Sequence, residues 1–329
     1  MTHDTTPGAY LITGGASLIG SHLADALLAA GAPEVRLFDN FSLGTPETIR
    51  HLDSDARVTL IRGDVLRLNE LIDATRGVAG VFALAGFLTL PMSRNPALGV
   101  AVNTQGIVHT LEACRLADAR RVVFSSSVSA YGNATAETIV EETPYVSAGL
   151  VPASAVYATT KLLGEALCAQ YAQAYGLEYN VLRFSSVYGA RQHGRAVNAV
   201  FMAEAYERVR RGERPVIVGD GTEVHDYIYV TDVADACTRA MLGPSQGQIL
   251  TIATGVDTTL TRVVEIILEA CQAQDLRPEY QEDRRAVRSA AVAHLGFSRT
   301  RAKQALGWVP TVPVEEGIRR YITWRESVA

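Results

Sequence analysis

The chain has 329 residues, 30 of them basic and 35 acidic, for a formal net charge of −5, with 48% apolar and 20% charged positions. This is a globular composition, which excludes disordered, collagen-like and low-complexity classes, and its mild acidity gives no footprint for binding a phosphate backbone, so nucleic acid is not an expected partner. Of the 30 basic residues 28 are Arg and two, Lys161 and Lys303, are Lys.

The segment Met1–Tyr10 has neither a basic n-region nor an apolar h-region, so no secretory signal is read there. No run of about 18 apolar residues follows, so no membrane span is expected. The pattern begins at Ala9–Thr13, a short buried strand, followed by the amphipathic stretch Ile19–Ala30 that Gly31-Ala32-Pro33 closes. Strands are then predicted at Val35–Asp39, Val58–Arg62, Val81–Ala85, Val122–Ser125 and Tyr179–Phe184, with amphipathic helices such as Val102–Ala117 between them. Strand–helix alternation of this kind predicts an α/β fold, a parallel sheet covered on both faces.

After about residue 183 the rhythm changes. A loop at 189–198 leads to an Arg-rich helix at Ala199–Arg211, then Val216–Val218, the turn Gly219-Asp220-Gly221 and a strand at Asp226–Val230. Thr231-Asp232 reads as a helix start, and late helices fit Thr261–Gln272, Ser298–Leu306 and Val314–Arg325. A smaller C-terminal lobe is expected, the segment near 226–252 returning to the main sheet. Residues 1–183 with about 226–252 make the first domain; 184–225 and 253–329 make the lobe. The cysteines Cys114, Cys168, Cys237 and Cys271 are scattered and form no CxxC, as suits four reduced thiols in a cytoplasmic enzyme. The seven histidines include no i,i+4 pair, so no metal site is expected.

Two groups of residues carry chemistry. The first strand runs into Gly14-x-x-Ser17-x-x-Gly20 and a helix, a turn that lets backbone approach a pyrophosphate at the helix N-terminus. Asp39 ends the second strand, where a carboxylate accepts from adenosine ribose hydroxyls and repels a 2′-phosphate, so NAD is favoured over NADP. Later strand ends bring Asp64-Val65, Leu84-Ala85-Gly86 and Ser125-Ser126-Ser127 to the same sheet edge. The second group is Tyr157-Ala158-Thr159-Thr160-Lys161, opening a helix that reaches about Tyr175. Four-residue spacing stacks Tyr157 and Lys161 on one helical face, and chance predicts only about 0.08 such Tyr–Lys pairs in a chain of this make-up. An ammonium beside the phenol should lower its pKa from the ordinary value of about 10, making Tyr157 a proton shuttle near neutral pH.

With Asn40, Gly63, Tyr131-Gly132, Leu182-Arg183-Phe184, Val187-Tyr188-Gly189, Asp226–Val230 and Leu306-Gly307-Trp308, these motifs make the chain resemble an extended short-chain dehydrogenase/reductase of the nucleotide-sugar epimerase/dehydratase type, over nearly its whole length. The resemblance implies a Rossmann-type doubly wound sheet with a smaller substrate-binding lobe, and NAD held by Gly14, Ser17, Leu18, Ile19, Gly20, Asp39, Asn40, Asp64, Val65, Leu84, Ala85, Gly86, Asn103, Tyr157 and Lys161. It implies a catalytic Ser127, Tyr157 and Lys161: Tyr157 as acid/base, Ser127 bonded to the reacting oxygen, Lys161 on the nicotinamide ribose, and Asn103 bracing helix and cofactor site. Ser127, Ser186, Asn198, His225 and Arg288 are implied to face a nucleotide-sugar substrate. Dehydratases and decarboxylases of this type carry an acid just after the catalytic Ser or Thr. Here Val128 and Ser129 follow, which points to NAD-dependent C4 epimerisation of a nucleoside-diphosphate sugar through a 4-keto intermediate. Ser17, Ser186 and His225 depart from the usual Gly, Asn and Arg; a neutral imidazole grips phosphate less firmly than a guanidinium. Arg191, Arg195 and Arg288 are candidates to compensate. These departures keep an NAD(H)-dependent dehydrogenase or reductase of a sugar or other hydroxyl/keto substrate as the alternative. The amphipathic stretches at 102–117 and 157–175 resemble the pair through which relatives dimerise, so a homodimer is expected.

Overall fold

The computed structural model describes residues 8–192, 200–282 and 296–328. Its first half runs β1 (Ala9–Thr13), α1 (Leu18–Ala29), β2 (Glu34–Asp39), α2 (Pro46–Ile49), β3 (Val58–Arg62), α3 (Leu68–Thr75), β4 (Val78–Ala83), α4 (Thr89–Arg94), α5 (Pro96–Leu116), β5 (Arg121–Ser127), α6 (Pro152–Tyr175) and β6 (Glu178–Phe184). Then follow β7 (Ser186–Tyr188), α7 (Val200–Arg210), β8 (Val216–Val218), β9 (Val224–Tyr229), α8 (Val230–Leu242), β10 (Gln248–Ile252), β11 (Asp257–Thr259), α9 (Leu260–Ala270), β12 (Glu279–Gln281), α10 (Thr300–Leu306) and α11 (Val314–Ser327).

Seven strands form one all-parallel sheet in the order β3-β2-β1-β4-β5-β6-β10. The chain steps outward from β1 to β3, then crosses to β4 and continues the other way. In such a sheet the crevice at the carboxyl ends of β1 and β4, where the direction reverses, is where a ligand binds. Apolar residues cover both faces: Leu23 and Leu27 of α1 pack with Val233 and Cys237 of α8 in one core cluster, and Leu71 of α3, Leu111 of α5 and Cys168 of α6 in the other.

The differences from the sequence reading have local causes. β4 ends at Ala83 rather than Ala85 because the N–H groups of Leu84 and Ala85 turn to the Thr13 hydroxyl, at 3.2 and 3.3 Å. The helix reaching Tyr175 starts five residues before Tyr157, with Pro152 in its first turn, and Gly176 ends it at φ +73°. α5 starts at Pro96, capped by the Asn95 side chain, which accepts from Leu98 N. Of the segment 226–252 only β10 joins the main sheet. β9 instead lies parallel to β7 and antiparallel to β11 in a separate three-stranded sheet, while β8 and β12 form a parallel pair. Trp308, fully buried, donates to the Asp232 carbonyl, and the Asp232 carboxylate accepts from Val312 N, which ties the C-terminal segment to α8. All four cysteines are free thiols, three buried and Cys271 half-buried. Among the described residues no helix is long and apolar enough to cross a membrane.

Candidate active site

The carboxyl ends of the strands enclose a cavity of about 360 Å³. Of the fifteen positions read as cofactor ligands, all but Gly20 and Asn103 line it. Gly20 lies under the turn: a Cβ there would stand 2.5 Å from the Gly14 carbonyl oxygen, so only glycine lets α1 seat so closely against the loop. Gly14 has φ +72°, which an L side chain adopts at a cost, and its N–H donates to Phe38 O at 2.8 Å. Ser17, in the place of the usual middle glycine, is the N-cap of α1 and accepts from Gly20 N at 3.1 Å. The first-turn N–H groups of Leu18 and Ile19 face the cavity end of the helix, where the dipole favours an anion.

The second wall is fixed by side chains bonded to backbone. Asp39, buried at the end of β2, accepts from Ala16 N at 3.0 Å and Phe41 N at 2.8 Å. Burial pushes its pKa above the ordinary value, and those two N–H groups oppose the rise. Asn40 donates to the Asp64 carboxylate, which also accepts from Leu66 N. A close glycine turn with the first-turn donors of α1, and a buried carboxylate at the end of β2, make a donor and acceptor set that fits a dinucleotide.

Ser127, Tyr157 and Lys161 come together at the far end of the same cavity. The Lys161 Nζ donates to Ser125 O at 2.8 Å, lies 5.2 Å from the Phe124 ring centroid and 5.8 Å from that of Tyr157. Gly86 borders it, since a Cβ there would stand in ordinary contact with Nζ at 3.5 Å. Ser127 Oγ accepts from Ser129 N and donates to Ser129 Oγ, both at 3.1 Å. The expected lowering of the Tyr157 pKa is corrected here. Burial pushes it up to about 12, with the Ser127 hydroxyl pulling the other way, while burial brings Lys161 down to about 8 against the opposing charge of Glu165. Both groups are more than nine-tenths buried and the ammonium is turned toward Ser125 O, so loss of water outweighs their mutual attraction.

Asn103 stands behind the cavity. Its amide accepts from Phe87 N at 2.7 Å and donates to Phe87 O and to Thr160 Oγ1, joining the loop after β4 to α6. A buried ion pair that joins α6 to β6 went unread in the sequence. Glu165, one turn beyond Lys161, accepts from Ser126 Oγ and from both Nε and Nη2 of Arg183, at 2.9 and 2.7 Å. The signal was present: a charged residue inside the apolar strand Tyr179–Phe184 needs a buried partner.

On the lobe side Ser186 and His225 do meet, Oγ to Nδ1 at 3.5 Å, and His225 Nε2 lies 2.8 Å from Glu223. Neither lines the 360 Å³ cavity, although Ser185, just before β7, and Val187, on the opposite face of that strand from Ser186, do. Asn198, Arg195 and Arg288 lie outside the described residues. Arg191 is placed against α1 instead of beside His225, with Nη2 2.6 Å from the Asp25 carboxylate.

Comparison with known proteins agrees with this geometry. A family model described as the NAD dependent epimerase/dehydratase family matches residues 10–253. A UDP-glucose 4-epimerase of Mycolicibacterium smegmatis is 33% identical over 318 residues, 95% of this chain and 96% of that protein. The Thermotoga maritima UDP-glucose 4-epimerase, solved with UDP-glucose, superposes with a TM-score of 0.85 at 29% identity, over 98% of this chain and 100% of that one. The Thermus thermophilus UDP-glucose 4-epimerase, solved with NAD, gives 0.83 at 30% identity over 98% and 100%. Decarboxylases are related too: UDP-glucuronic acid decarboxylase 1 of Danio rerio is 26% identical over 95% of this chain and 72% of that protein.

Proposed function

The chain belongs to the NAD-dependent epimerase/dehydratase family, and from that premise we propose that it is a 4-epimerase of a nucleoside-diphosphate sugar with NAD as its cofactor. One observation carries the choice among the family's reactions. Among the described residues no carboxylate stands next to the reacting end of the cleft: Val128 and Ser129 follow Ser127, and the acids lining the cavity are Asp39 and Asp64, at the adenosine end. Glu165 is turned away and held by Arg183. Elimination of water or loss of carbon dioxide lacks the acid that relatives place there, whereas epimerisation needs only a proton carrier and space for the keto sugar to turn.

In this reading Tyr157 takes the proton of the 4-hydroxyl and later returns it, and Ser127 donates a hydrogen bond to the same oxygen. Lys161, still mostly charged at neutral pH with a pKa of about 8, stabilises the phenolate and the ribose. When bound, NAD supplies the hydride acceptor and a positive charge beside the phenol. Leu18, Ile19 and the Asp39 carboxylate hold it by pyrophosphate and ribose. α5 and α6 leave Leu98, Leu116, Leu163 and Tyr175 between 40% and 58% exposed, which supports a homodimer formed through these helices.

The test is to incubate the purified protein with UDP-glucose and no added NAD, following the sugar by proton NMR. The expected result is equilibration with UDP-galactose without build-up of NADH. Accumulation of NADH in step with a keto product, or release of a 4-keto-6-deoxy sugar, overturns it in favour of a dehydrogenase or a dehydratase. Light scattering that shows only a monomer overturns the dimer.

A further inference from the structure

We propose that Arg191 is a ligand of the cofactor's pyrophosphate, a second clamp beside the glycine-rich turn. The loop after β7 is fastened to α1 at two points: His22 Nε2 donates to Ala190 O at 3.0 Å, and Arg191 Nη2 donates to Asp25 Oδ2 at 2.6 Å. Leu18, His22 and Asp25 are spaced four and three apart, so the loop lies along one face of α1, the face that reaches the cavity at Leu18. Arg191 itself lines that cavity together with Gly14, Ser17 and Leu18.

Two features point the guanidinium at something further. Its Nη1 is buried and makes no hydrogen bond among the described residues, an expensive state for a charged donor. Its backbone has φ +65°, rare for a side-chain-bearing residue and typical of positions held for function. The Asp25 pair does not account for either, since both side chains are partly exposed, 22% and 36%, and pairs of that kind contribute little.

Charge identifies the ligand. Among the described residues lining the cavity, the charged side chains are Asp39, Asp64, Lys161 and Arg191. The two acids repel a dianion, and Lys161 is committed to Ser125 O at the catalytic end. Arg191 is therefore the cation left for the pyrophosphate, and a guanidinium suits a two-oxygen contact. His22 beside it adds no competing charge: burial, and then Arg191 itself, brings its pKa down to about 4.

The inference stands on the family's cofactor rather than on the reaction proposed above, so its test reads binding. In full-length protein, Arg191→Met should lower affinity for NAD and for ADP-ribose about 10- to 100-fold by titration calorimetry. The adenosine inhibition constant should stay within about twofold, and Arg191→Lys should recover part of the loss. NAD bound after gel filtration should fall in parallel. Unchanged NAD affinity in both variants would reduce Arg191 to a loop staple and overturn the proposal. So would an equal loss for adenosine, which means a collapsed pocket, or a raised KM for the nucleotide sugar with normal NAD binding, which assigns the arginine to the substrate's diphosphate.

Discussion

The cofactor side and the lobe side of the cleft hold their polar groups by different means. On the cofactor side Asp39 is bonded to two backbone N–H groups, Thr13 to the backbone of Leu84 and Ala85, and Asn103 to both polar atoms of the Phe87 peptide. On the lobe side Ser186 and His225 meet side chain to side chain at 3.5 Å, and Glu223 holds the imidazole from the residue next but one. Backbone anchors fix a side chain wherever the fold is intact, whereas side-chain pairs can be rewritten by one substitution. If the proposed roles hold, the groups facing the cofactor common to the family are held by backbone, and those facing the variable substrate by side chains.

Removing the phenol tests the reacting end common to both sides. Tyr157→Phe should lower turnover about 10²–10⁴-fold while NAD content stays unchanged, measured by NMR of the sugar and by release of NAD on denaturation. Lys161→Arg should cost about 10²-fold in turnover, because a bulkier planar guanidinium does not reproduce the compact, buried ammonium that donates to Ser125 O. Wild-type turnover in that variant would remove Lys161 from the mechanism.

The anchoring argument is tested by Asn103→Ala, which strands the buried Phe87 N–H and frees Thr160. A loss of about 2 kcal/mol in urea unfolding is expected, and a loss under a few tenths would mean the amide is not an anchor. The buried lysine gives a pH signature in cofactor-stripped protein. The unfolded chain keeps this proton up to the ordinary value of 10.5, while the folded chain releases it at about 8. More protons are bound by the unfolded state between those values, so stability rises with pH across that window. Tyr157, raised to about 12 from 10.0, works in the opposite sense above pH 10. Lys161→Met should flatten the rise in urea midpoint between about pH 8 and 10. The smallest effect belongs to the lobe: His225→Arg should lower KM for UDP-glucose about threefold without changing NAD content, because it restores a fork-shaped phosphate donor. A change in NAD content instead would mean the two sides are not separable.

How far the sequence could be read follows the same division. The strands β1, β3 and β8 end where their apolar runs end, and the glycine turn, Asp39 and the Tyr–Lys spacing are contiguous motifs whose geometry is local. The second sheet was not legible, because β7 and β11 have three residues each and their pairing with β9 depends on contacts across 31 to 41 positions. The direction of the Tyr157 shift was misread for a related reason: spacing places two groups on one helical face but does not show how deeply β5 buries them. The true starts of α5 and α6 were legible in Asn95-Pro96 and Pro152, a cap and first-turn prolines that lie outside the amphipathic runs used to place those helices.

The scarcity of lysine has a practical consequence. Lys303 is exposed on α10, while Lys161 is 7% exposed under Phe124. An amine-reactive label added briefly should therefore attach at Lys303 and at the α-amino group. A slower second modification at Lys161 would time the opening of α6 away from β5, a local unfolding clock that the chain carries without any engineered tag.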